Sequence, residues 1–322
     1  MGEPAAVEAD AGTPRRTSWR RALVSALLVV AMVVAFGWAL SGRWSETVDR
    51  LGDQDPLVLL GSLALAVAGT WMSFELWRGT LAALGSPVAR RPAARLFFPA
   101  QLGKYLPGSV WPVVVQMRMG RDLGIPRQRT ALAFLLTLGL SVLVGGLVGL
   151  VALPAVLRAE GRGVLLGLLA LPVLMALLVP AVLNSLLGRG LRLIRRPGLE
   201  TRLGGRDIAR AVVWTLAFWV VYGGHVWLLA VGLGADPGGA LPVAIGGFAI
   251  AFSLGPLLVV LPAGVGVREA VLVLLLAGLL TTPEATAVAL TSRGVLMLTD
   301  GLLALGGGLL AGRGARPATP DA

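Results

Sequence analysis

From Thr130 to Leu153 the chain carries no charged side chain, and Ala22–Leu40, Gly163–Leu187, Ala211–Leu233 and Leu241–Leu261 behave the same way. A helix needs about 20 apolar residues to cross the hydrocarbon core of a bilayer. Such a segment must satisfy its own backbone N–H and C=O groups, which leaves helices and closed barrels as spanning structures. Uninterrupted runs of this length select the helix. Only 14% of the 322 residues are charged, against roughly 25% in an ordinary globular domain. The sequence therefore reads as an all-α polytopic membrane protein.

The net charge of +11 would point to nucleic acid in a soluble chain. Here the arginines gather between apolar runs, which is the pattern of positive-inside topology, and no nucleic-acid partner is expected. Residues 1–21 form a polar, Arg-rich tail expected to be disordered and cytoplasmic, with Arg15, Arg16, Arg20 and Arg21 ahead of the first run. That run lacks a clear small-residue cleavage site and reads as a retained helix rather than a signal peptide. Ser41–Asp55 carries Glu46, Asp49, Asp53 and Asp55 and fits an outer loop. A second helix is expected from Pro56 to about Arg78, and Arg78, Arg90, Arg91 and Arg95 then mark the cytoplasmic face. The seven arginines between Arg189 and Arg210 mark it again. Residues 312–322 form a cytoplasmic tail, so a single transmembrane domain covers 22–311.

Two stretches break the pattern. Gln101–Pro112 places Lys104, the only lysine, with Pro107, Gly108 and Trp111 among apolar neighbours. Arginines flank it on both sides, and each arm of Leu96–Met119 is too short to cross, so this segment reads as a re-entrant hairpin. Leu241–Leu261, interrupted by Gly246, Gly247, Gly255 and Pro256, leads into Leu261–Glu269 and a second short arm, Ala270–Leu280. Leu106-Pro107-Gly108-Ser109-Val110 and Leu261-Pro262-Ala263-Gly264-Val265 match as short repeats, within halves spanning about 57–153 and 211–311. Three spans separate them, so the second hairpin would enter from the opposite face, an inverted repeat of the kind that places a site near the midplane. About six full spans plus two re-entrant hairpins result; eight spans with one hairpin would leave the termini on the same side.

These breaks resemble the paired signatures of a known family. GKYLPGSVWP, through Gly103, Tyr105, Pro107, Gly108, Val110 and Trp111, and LPAGVGVRE, through Pro262, Gly264, Gly266, Arg268 and Glu269, are similar to the flippase-like domain of bacterial phosphatidylglycerol lysyltransferases. Stand-alone relatives are grouped as the lysylphosphatidylglycerol synthase transmembrane family. The resemblance covers about Leu57 to Ala311. It implies translocation of a membrane phospholipid or polyprenyl-linked lipid, or a related lipid-handling role, without implying lipid synthesis. With the chain ending at Ala322, no aminoacylating domain is expected, and the protein is read as a transporter rather than an enzyme.

Charged groups inside spans mark functional positions by default. Arg293 and Asp300 lie seven residues apart in the last helix, on nearly the same face. With Arg268 and Glu269 they are expected to form one buried polar cluster, serving structure, an anionic headgroup or proton coupling. Lys104 reads either as a snorkelling interfacial lysine or as a phosphate contact, aided by a helix starting near Ser109–Pro112. Tyr105 and Trp111 read first as interfacial or packing residues. The candidate substrate-binding set is Lys104, Tyr105, Pro107, Gly108, Ser109, Trp111, Gly264, Gly266, Arg268, Glu269, Arg293 and Asp300. Glu75 and Arg78 read as a local pair, and His225 as a packed, hydrogen-bonded histidine.

No cysteine and one histidine leave disulfides, thiol chemistry and a cysteine- or histidine-based metal site without ligands, and no cofactor is expected. Arginine in place of lysine fits a GC-rich bacterial genome and hence a bacterial plasma membrane. Two other functions use the same features. One is an ion-coupled secondary transporter of a soluble anion. The other is a polyprenyl-dependent glycosyltransferase using Asp53 and Asp55, although Asp55 before Pro56 is an ordinary helix start. Glycine pairs such as Gly145-Gly146 leave homo-oligomer packing open.

Overall fold

The computed structural model describes residues 44–106, 110–152, 171–193, 202–257, 264 and 266–312. The first apolar run and both tails lie outside these residues. Every regular element among the described residues is a helix, and none is a strand. In order come α1 (Trp44–Gly52), α2 (Pro56–Ala83), α3 (Arg90–Gln101), a 3₁₀ turn (Leu102–Tyr105), α4 (Trp111–Met119) and α5 (Arg127–Gly149). Then follow α6 (Leu171–Leu177), α7 (Pro180–Leu193), α8 (Gly205–Gly232), α9 (Pro237–Leu257), α10 (Val267–Leu276) and α11 (Thr282–Gly312).

Five of these are long and apolar enough to cross a membrane, and six spans result if the α6–α7 pair counts as one. That pair is bent by 71° at Pro180, whose ring removes a backbone donor and breaks the helix. The expected uninterrupted return span, Gly163–Leu187, is corrected to this bent pair over the part described. Two more expectations change. Ser41–Asp55 contains the helix α1 rather than a plain loop, and α1 packs on the last helix, where Arg50 approaches Glu284 at 3.8 Å. The stretch after Leu241 is not broken at Gly246 and Gly247. A side chain there would collide with Ala152 or crowd Leu275, so the glycines serve close helix packing.

Helix starts follow from local chemistry. The Asp55 carboxylate accepts the Leu57 N–H at 2.7 Å, and Pro56 occupies the first turn, where its missing N–H costs nothing. Glu284 accepts the Thr281 N–H at 2.9 Å and caps α11.

Small residues set the packing. Contacts of Gly232 with Val58, Gly61 with Leu228 and Gly69 with Tyr222 run in opposite order along the two chains, so α2 and α8 are antiparallel. A Cβ on Gly223 would lie 2.3 Å from the Ile245 Cα, which brings α8 and α9 nearly into backbone contact. Gly145 packs against Trp219 and Ser253 within the chain.

Two aromatic clusters anchor the hairpins, one on the short arm α3 and one on α9, which is itself 21 residues long and a candidate span. Phe97 and Phe98 of α3 pack on Phe74 of α2 at ring separations of 5.6 and 5.2 Å. Phe248 and Phe252 of α9 pack with Tyr222 of α8 at 5.6 and 6.0 Å. Arms α3, α4 and α10 have 12, 9 and 10 residues. At 1.5 Å per residue none reaches the roughly 30 Å of a bilayer core. α3 packs on α4, and α9 on α10, giving two helical hairpins that both lie against α11 or its neighbours.

Candidate functional site

The polar residues meet around the middle of the long helices. Thr70, at the centre of α2, shares a 2.7 Å hydrogen bond with the Tyr222 hydroxyl of α8. α11 is the strut against which both hairpins place charges.

The end of the first hairpin reaches Asp300. The carboxylate is 2% exposed, and its Oδ2 accepts the Tyr105 hydroxyl at 2.5 Å and pairs with Lys104 Nζ at 2.7 Å. Lys104 therefore does not snorkel alone at an interface. Its 3₁₀ turn is pinned by Gly103, where a Cβ would stand 2.9 Å from the Pro112 nitrogen, holding the two arms together. Trp111 opens α4 with its ring half exposed. Pro107, Gly108 and Ser109 lie outside the described residues.

The second hairpin brings Arg268 and Glu269 into the first turn of α10. Gly264 and Gly266 adopt φ of +68° and +84°, a region disfavoured for side chains with a Cβ. A Cβ on Gly264 would also stand 2.9 Å from the Gly255 Cα. The backbone thus turns back tightly, and Glu269 Oε2 accepts the Gly266 N–H at 2.6 Å as an N-terminal cap. Glu269 Oε1 takes Arg293 Nη1 at 2.6 Å.

Within the expected four-residue cluster the direct ion pairs are resolved. Glu269 and Arg293 form one pair, and Asp300 belongs to the first hairpin through Lys104 and Tyr105. The pairs sit on α11 about 10 Å apart along its axis, at 1.5 Å per residue. Arg268 makes neither ion pair. Its guanidinium lies 4.9 Å from the Phe248 ring centre and 5.3 Å from that of Phe252, and donates to Ser292 Oγ at 3.2 Å. It is 8% exposed and has no carboxylate within ion-pair distance among the described residues.

Lys104, Arg268 and Arg293 stand against Glu269 and Asp300, so this group carries a net charge of +1, and Arg268 is its buried cation. Burying an unpaired charge is costly, and cation–π contact offsets only part of that, about 2 kcal/mol when desolvated. Such a guanidinium can bind a phosphate through two parallel hydrogen bonds.

Several partners escaped the sequence reading. Phe248, Phe252 and Ser292 look like ordinary residues of apolar helices. Glu75 does pair with Arg78, at 2.6 Å, but it also takes Arg90 Nε of the first hairpin at 2.7 Å. His225 is fully buried with both ring nitrogens bonded, as expected of a packed histidine.

No protein of curated function matches the sequence. A family model, described as the lysylphosphatidylglycerol synthase TM region, matches residues 22–304 and so embraces both hairpins. The chain belongs to the lysylphosphatidylglycerol synthase transmembrane family.

Proposed function

We propose that this protein moves an anionic phospholipid or polyprenyl-linked lipid between the leaflets of a bacterial plasma membrane, without catalysing a reaction. In this reading the two hairpins are re-entrant and enter from opposite faces as an inverted repeat, both termini being cytoplasmic. The lipid headgroup passes between the hairpins while its acyl chains stay in the bilayer. The observation that carries the reading is Arg268, a buried guanidinium stacked on two aromatic rings and without a carboxylate within ion-pair distance among the described residues. A lipid phosphate supplies the missing charge. Family membership supports a lipid-related role.

The test is reconstitution into vesicles containing fluorescent phosphatidylglycerol, with the outer leaflet quenched by an impermeant reductant. Wild-type protein should expose the inner-leaflet probe, and Arg268→Ala should slow exposure at least about tenfold, the loss of a charged hydrogen bond of about 1.5–3 kcal/mol. Equal rates would remove Arg268 from the route. Uptake of a soluble phosphate ester without lipid movement would favour the anion-transporter alternative.

A further inference from the structure

Arg268 is held by more than its aromatic neighbours, and the hydrogen bonds beneath it have a determinable direction. A guanidinium has donors and no acceptor, so its 3.2 Å bond to Ser292 Oγ uses an oxygen lone pair. The same Oγ lies 2.9 Å from His225 Nε2. On the far side of the ring, Nδ1 contacts the Tyr222 carbonyl, which can only accept. Nδ1 therefore carries the proton, and in a neutral imidazole Nε2 is then an acceptor. It takes the Ser292 hydroxyl proton.

We propose that Ser292 and His225 are positioning residues for Arg268: a chain of donors running Arg268 to Ser292 to His225 to the Tyr222 carbonyl fixes the guanidinium in its aromatic seat. This deepens the lipid-transport reading and rests on it for the role of Arg268. The surroundings of His225 fit the assignment. Phe248 of α9 stands edge-on to the imidazole at 5.0 Å, and the same ring faces Arg268. Ser62 of α2 donates to the His225 backbone carbonyl, not to the ring. Among the described residues, the groups facing the imidazole are Tyr222 from its own helix, Ser292 from α11 and Arg268 from α10. None is a carboxylate that would favour an imidazolium. Protonation at Nε2 would reverse the Ser292 bond, leave the hydroxyl proton in need of another acceptor, and set two cations against one serine.

His225 is the protein's one histidine, so nitrogen-15 labelling gives a single imidazole spectrum from intact wild-type protein. In phosphatidylcholine vesicles at pH 7, the expected spectrum is a protonated Nδ1 and an unprotonated, hydrogen-bonded Nε2. An Nε2–H tautomer or an imidazolium would overturn the assignment without any variant having to fold. In the lipid assay, Ser292→Ala and His225→Leu should lose about tenfold in rate, in line with a charged hydrogen bond of about 1.5 kcal/mol. Ser292→Thr and His225→Gln, which keep an oxygen at the relevant position, should retain most of it. If Arg268→Ala is inactive while Ser292→Ala and His225→Leu run at the wild-type rate, the positioning role falls and the transport reading stands. If Arg268→Ala is fully active, Arg268 is off the lipid route and its positioning residues lose their role in transport, while the imidazole spectrum still decides the direction of the bonds; absence of lipid movement in wild type is what removes the transport reading.

Discussion

Glu269 and Arg293 make a quantitative test of what holds the second hairpin. Glu269 is 4% exposed, and its two oxygens are both engaged, one by Arg293 Nη1 and one by the Gly266 N–H. Glu269→Gln keeps a single oxygen for two donors and leaves Arg293 without its counter-charge. Arg293→Gln leaves a buried carboxylate with only its cap. Breaking a buried pair from one side costs about 3–5 kcal/mol. The Arg293 side chain retains 20% exposure, so each single substitution is expected at about 3 kcal/mol, the low end of that range. Removing both charges should cost less than the two single losses together, because neither partner is then stranded. The double-mutant cycle is read by reversible denaturant unfolding in bicelles, following α10 and α11. A coupling of about 2 kcal/mol is expected within the 0.5–3 kcal/mol range for contacting residues. Additivity to within about 0.5 kcal/mol would refute the pair as a structural tie.

Glu75→Ala should destabilise the base of the first hairpin by about 3 kcal/mol, since it strands Arg78 beside a lost buried carboxylate. Arg90→Ala, by contrast, removes a side chain that is 66% exposed and should cost under about 1 kcal/mol; thermal unfolding in detergent separates the two. Gly264→Ala combines a left-handed backbone, worth about 1–2 kcal/mol, with a Cβ 2.9 Å from the Gly255 Cα. It should lower thermal stability more than Gly278→Ala, where a Cβ meets nothing within 4 Å. The absence of native cysteine makes topology accessible: Arg91→Cys should react with an impermeant thiol reagent only from the cytoplasmic side, and Gly278→Cys only from outside. Labelling of both from one face would contradict hairpins entering from opposite sides.

The spans were legible because a bilayer imposes one dominant requirement, and Thr130–Leu153 or Ala211–Leu233 meets it without reference to any other part of the chain. The break before α10 was legible through Gly264 and Gly266, which mark where a helix cannot continue. Pairing was not legible. Asp300 was grouped with Arg293 by helical periodicity, yet it answers to Tyr105, 195 residues away, because the first hairpin docks on the same helix. Glu75 looked complete with Arg78 three residues on, and its second partner arrives only when α3 folds back on α2. Gly246 and Gly247 read as breaks, whereas the structure uses them to bring helices together. The aromatic seat of Arg268 was invisible for a related reason. In a helix as uniformly apolar as α9, nothing in the pattern singles out Phe248 and Phe252 from their neighbours.

The most direct test of the central claim is equilibrium binding of phosphatidylglycerol to detergent-purified protein, measured by native mass spectrometry for wild type, Arg268→Ala and Arg90→Ala. The expected result is retention by wild type and Arg90→Ala, with affinity lowered about tenfold to hundredfold in Arg268→Ala, as follows from losing a charged hydrogen bond of about 1.5–3 kcal/mol. Equal retention by a folded Arg268→Ala protein would contradict the account.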